Sequence, residues 1–120
     1  MDDVSKKRGD KYPIGKKNPN LPFWPAVRAG DFIFVSGQAA KDENGNMVDG
    51  TIEAETRATI ECIQRILAEE GATLADVVRA TTYLQDTRDF GRYNKVFGEM
   101  FKDATLARTT VEAKAVINTK

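Results

Sequence analysis

An α+β fold is the expectation for this chain, and three observations predict it. Two stretches, at about residues 51–70 and 89–101, carry apolar residues at helical spacing. Around them lie short runs rich in β-branched and aromatic residues, at 32–36, 77–84 and 108–116. Glycines and turn dipeptides separate the two kinds of segment. The order reads β-β-(β)-α-β-α-β, which predicts a sheet with both helices on one face.

Residues 1–21 hold Gly9, Pro13, Gly15 and Pro19 among charges and read as an irregular basic arm, with a single domain over 22–120. Six basic against three acidic residues give positions 1–20 a net charge of +3; the 120-residue chain is neutral, so the remainder is −3. Such an arm can touch RNA or an acidic partner. No RNA-binding signature accompanies it, so a solvated arm is expected and nucleic acid is not an expected partner. The segment LPFWPAV sets two aromatics between prolines and cannot be helical. A hairpin follows: Ala26 to Arg28, a turn at Ala29-Gly30-Asp31, then Phe32 to Ser36. Phe32 and Phe34 share one face of that strand, Ile33 and Val35 the other. Asn44-Gly45 centres the next turn.

Thr51 is the expected N-cap of the first helix, with Glu53 and Glu55 in its positive first turn and Gly71 past its end. Thr56, Ile60, Ile63 and Leu67 form its apolar stripe. Asp86 or Thr87 caps the second helix, whose stripe is Phe90, Tyr93, Phe97 and Phe101. Two helices cover only one face of the sheet. The other carries residues such as Val78, Ala80, Val111 and Ala113, depending on how each strand is oriented, and its burial calls for a partner, most simply another copy of the chain.

Composition narrows the chemistry. Apolar residues make up 41% and charged residues 30%, which is ordinary globular usage. No apolar run is long enough to span a membrane, and the start of the chain lacks a signal-peptide pattern; a cytoplasmic location is expected. Cys62 is the one cysteine, which excludes an intrachain disulfide and a cysteine metal cluster. It sits beside the first helix's stripe and reads as a packed thiol rather than a nucleophile. There is no histidine, which removes Ser-His-Asp triads, His-ligated zinc and histidine general bases.

In ARTTVEAK, alternation puts Arg108, Thr110, Glu112 and Lys114 on one face of a strand. An arginine two residues from a hydroxyl on one face can grip a carboxylate with two parallel hydrogen bonds. The plain alternative is a surface arginine paired with a nearby acid. Gly37, in SGQ directly after an apolar strand, permits close approach of a ligand to the backbone, or simply turns the chain. Asn94, beside the aromatic stripe, either points into a polar pocket or lies on the helix surface.

Taken in order, GDFIFVSGQ, GTIEAETRATIECIQRILAEEGATLADVV, DFGRYNKVFGEMF and ARTTVEAK resemble the RidA/YjgF family, whose members also carry the names endoribonuclease L-PSP and translation inhibitor. The resemblance spans about residues 22–116. It implies a chorismate-mutase-like α+β fold with a mixed sheet, assembled as a homotrimer with clefts between subunits. It implies hydrolysis of reactive 2-imino acids, or their enamines, to 2-keto acids and ammonia, without metal or organic cofactor. Residue by residue, it implies that Arg108 binds the substrate carboxylate and that Thr110, where cysteine is frequent, contacts the ligand. Gly37 falls on the cleft wall and Asn94 contributes from the second helix. Phe23 replaces the tyrosine common in the cleft of active members. The family continues into a final strand with a water-positioning glutamate; nothing through Lys120 matches it, so a sequence continuing beyond that point is expected. Three readings follow: an imine deaminase, a non-catalytic trimer that binds small carboxylates, and, least favoured without histidine, an endoribonuclease.

Overall fold

A computed structural model describes residues 10–114. Its elements, in chain order, are β1 (Lys11–Ile14), β2 (Ala26–Ala29), β3 (Phe32–Val35), α1 (Ile52–Ala68), β4 (Arg79–Leu84), α2 (Phe90–Met100) and β5 (Ala107–Glu112). Single 3-10 turns at Leu74–Asp76 and Thr87–Asp89 lead into β4 and α2. The α+β class holds. The last strand ends at Glu112, with Ala113 and Lys114 outside it, shorter than the expected 108–116; positions 115–116 and residues 1–9 of the basic arm lie outside the described residues.

Two expectations are corrected. Part of the arm read as irregular is a strand: β1 pairs antiparallel with β2, with Tyr12 opposite Arg28. Pro13 disguised it, yet an edge strand tolerates a proline whose missing N–H faces away from the ladder. The described strands also form two sheets rather than one. The order β1-β2-β3 is antiparallel throughout, and β4 lies parallel to β5. Among the described residues no strand bridges β3 and β4. Periodicity shows which residues share a face; it does not show which strands are neighbours.

Both helices lie on one side. Ile60 and Leu67 of α1 meet Tyr93 and Phe97 of α2, with Leu84 of β4 and Phe101 in the same buried cluster. Ile33, Val35 and Ala80 close it from the sheets, so β4 is oriented with Ala80 inward. The Thr51 side chain accepts from the Ala54 N–H, capping α1 as expected. Gly71, at φ +70, lets the chain leave the helix. Tyr12 donates to Glu70, whose carboxylate also meets Arg28 at 3.6 Å, which ties β1 to the end of α1. Cys62 is buried, its thiol against the Lys41 carbonyl at 3.2 Å.

The opposite faces are apolar and open. Phe32, Phe34 and Val78 are each over 60% exposed, and Tyr83 is 57% exposed.

Candidate functional site

Strand β5 alternates as ARTTVEAK predicts: Arg108 and Thr110 turn toward α2, while Thr109 and Val111 turn away. The aromatic stripe of α2 receives them. The Arg108 guanidinium carbon lies 4.7 Å from the ring centre of Phe97, 5.3 Å from Tyr93 and 5.6 Å from Phe90. Each ring face attracts a cation, and together they form a shelf that restricts where the guanidinium can go. Phe90 owes its 41% exposure to standing at the outer edge of the stripe; Tyr93 and Phe97 are buried.

Thr110 pairs with Thr82 across the parallel ladder. The Tyr93 hydroxyl caps that rung. It donates to Thr82 Oγ1 at 2.6 Å and lies 3.3 Å from Thr110 Oγ1. The rank of residues from β4, β5 and α2 is thereby held by hydroxyl contacts next to the charged group. Helical spacing alone counts Tyr93 with the core stripe; its polar role follows from the hydroxyl set within that stripe, since buried phenols need partners.

No carboxylate among the described residues pairs with Arg108. Glu112, on the same strand, spends an oxygen on the Thr87 N–H at 2.9 Å. The alternative of a surface arginine neutralised by an adjacent acid therefore has no support in the described residues.

The other expected site residues lie elsewhere in the chain. Phe23 and Gly37 share a cavity of about 190 Å³, with Lys16, Gln38 and Lys41 among its lining; Arg108 and Thr110 do not line it. A methyl group on Gly37 would meet nothing within 4 Å, so packing inside the chain does not require glycine there. Asn94 is on the exposed side of α2, and no hydrogen bond joins it to the Arg108 group. No group of three acidic, cysteine or histidine residues among the described residues could hold a metal ion. No described helix is long and apolar enough to cross a membrane.

The sequence profile of the family described as Endoribonuclease L-PSP matches residues 15–120, most of the chain. The chain belongs to the RidA/YjgF family. Relatives agree with that membership. A RutC family protein of Pyrococcus abyssi is 46% identical over 95 residues, covering 78% of this chain and 75% of its own length. A protein of Acinetobacter baylyi named 3-aminoacrylate deaminase RutC is 35% identical over 105 residues, covering 87% of this chain and 83% of its own. Among solved structures, a Thermotoga maritima protein superposes with a TM-score of 0.81 at 33% identity, covering 88% of this chain and 86% of that one. RidA/YjgF membership accounts for the two helices lying against sheets in this order.

Proposed function

We propose that this chain is a hydrolytic deaminase of reactive 2-imino acids and their enamine tautomers, releasing a 2-keto acid and ammonia. One observation carries the reading: Arg108 is laid on three rings beside Thr110, and no carboxylate among the described residues pairs with it. A guanidinium so placed takes a substrate carboxylate through two parallel hydrogen bonds. The rings shut water from one side of it and limit its rotamers, so little freedom is lost on binding. With the carboxylate fixed, the adjacent imine carbon is held for attack by water. The new C–O bond gives a tetrahedral carbinolamine; a proton passes from the added water to nitrogen, the C–N bond breaks with loss of ammonia, and the carbonyl remains. The deaminase name of the Acinetobacter baylyi relative supports this chemistry.

The proposal includes a homotrimer with clefts between copies. Its support is the outward face of Phe32, Phe34, Val78 and Tyr83, which is apolar and uncovered in one chain. A cleft between copies also accounts for the division of the expected residues. The Phe23–Gly37 cavity of one copy can then complete the Arg108–Thr110 group of the next.

The test is 2-ketobutyrate release from enzymatically generated 2-iminobutyrate. Two charged hydrogen bonds, each worth about 1.5–3 kcal/mol, make Arg108→Ala roughly a hundredfold or more slower in kcat/KM. Equal rates for the two proteins would sink the proposal.

Phe23 favours a second reading, a non-catalytic trimer that binds small carboxylates, because the cleft position has no hydroxyl. Carboxylate binding without acceleration of imine hydrolysis would select it. The endoribonuclease name of the family finds no histidine here to serve as acid or base.

A further inference from the structure

The cavity that holds Phe23 and Gly37 carries two lysines, Lys16 and Lys41, and among the described residues no acidic side chain lines it. Among the described residues no carboxylate pairs with either ammonium. Two acidic residues beside these lysines in the chain or near the loop do not neutralise them. Asp42 turns its carboxylate back into its own loop, accepting from the Asn44 and Asn46 N–H groups at 2.8 and 3.0 Å. Glu69 approaches Gly15 but does not line the cavity.

The walls are built rather than incidental. Lys17 donates to the Leu21 carbonyl at 2.6 Å and closes the loop that presents Lys16. The Ser36 hydroxyl donates to the Trp24 carbonyl at 2.7 Å, and its N–H to the Pro25 carbonyl at 3.0 Å. Gln38 donates from Nε2 to the Ser36 carbonyl at 3.1 Å, which fixes its side chain and directs Oε1 away from that bond. The space of about 190 Å³ lies below the roughly 300–1,000 Å³ of common drug-sized or cofactor pockets. It suits the acidic end of a small molecule, not a nucleotide.

We propose that Lys16 and Lys41 form a subsite for a second carboxylate, so that the preferred substrates are 2-imino diacids rather than 2-imino acids with an apolar tail. The assignment rests on the deaminase reading above, in which Arg108 of a neighbouring copy holds the first carboxylate. One molecule then spans two cationic positions. Phe23 supplies apolar surface for the carbons between, and Gly37 leaves room for them at the backbone. The reaction is unchanged: water adds to the imine carbon and ammonia leaves, with both carboxylates as spectators.

The experiment compares full-length wild type, the double variant Lys16→Met/Lys41→Met and Arg108→Ala, each checked for its native mass and unfolding midpoint. Binding of 2-oxoglutarate and 2-oxobutanoate is measured by calorimetry at low and moderate salt. Hydrolysis of 2-iminoglutarate and 2-iminobutyrate is followed in parallel. Wild type is expected to favour the diacid by about tenfold, the effect of one well-made charged contact. In the double variant the ratio should fall to about one, and added salt should narrow the wild-type ratio. Equal affinity of wild type for the two oxo acids overturns the subsite, while 2-ketobutyrate release leaves the deaminase reading standing. Retention of the tenfold ratio in the double variant also overturns it. Displacement of 2-oxoglutarate by inorganic phosphate at comparable concentration would assign the lysines to a phosphate group instead. Failure of every imine to react faster than in buffer removes the deaminase reading itself.

Discussion

The phenol of Tyr93 donates to the hydroxyl of Thr82 at 2.6 Å, joining helix α2 to strand β4 directly above the rung that ends in Thr110. Tyr93→Phe keeps the ring beneath Arg108 and removes only the oxygen. Thr82 loses its partner, and Thr110 loses its contact. The expected cost is about 1–2 kcal/mol, read from the urea midpoint at unchanged m-value. If Thr110 meets the ligand, KM should rise more than kcat falls. Loss of stability with both kinetic constants unchanged would restrict Tyr93 to a structural role.

Phe97 is the ring nearest Arg108, at 4.7 Å, and it also stacks on Phe101 at 4.4 Å. Phe97→Leu keeps the position apolar while removing the cation–π contact. Unfolding should cost about 1–3 kcal/mol less than for wild type. The lost attraction, about 0.5–1 kcal/mol, should appear as a two- to fivefold weaker affinity for a carboxylate ligand. Calorimetric titration with 2-oxobutanoate measures it.

Gly37 has an ordinary φ, and the chain leaves space around it. Gly37→Ala should therefore leave stability equal to wild type or raise it by about 0.4–1 kcal/mol, because the unfolded chain loses freedom. Activity should fall, because the new methyl projects where a ligand or a second copy approaches. A more stable and fully active variant would show that nothing comes close to this wall.

Asp86 accepts from the Arg88 guanidinium and from the Arg88 N–H, which hold its carboxyl at about 2, below the ordinary 3.8. A depressed acid contributes stability above its unfolded value and loses it as pH falls. The contribution should be complete above about pH 4 and vanish through about pH 2. Carboxyl NMR titration of wild type and Arg88→Gln should show the variant's midpoint moving up toward the ordinary value. The thermal midpoints of the two proteins should converge in acid.

Local patterns were legible because they depend on neighbours in the chain. The Thr51 cap, the exit at Gly71 and the alternation of Arg108 with Thr110 each follow from spacings of a few residues. The stripe of α2 likewise emerged from its three- and four-residue steps, with Phe90 at its exposed edge. The strand at Lys11–Ile14 was hidden, because Pro13 speaks against a strand until a partner shows which edge it occupies.

The sequence by itself determined the α+β class, the Thr51 start of α1 and the face on which Arg108 stands, since each is a matter of period and local hydrogen bonding; Asp86, expected to cap α2, instead caps the 3-10 turn before it. Only the tertiary structure decided what Arg108 faces and what it does not. The parallel pairing of β4 with β5, and the seating of α2 across both, bring Arg108 over Phe97 and set Tyr93 on the Thr82–Thr110 rung. The same folding gathers Phe23 and Gly37 around a separate cavity with Lys16 and Lys41. Those neighbours are distant in the chain, and burial of the common core, rather than any local preference, is what brings each group together.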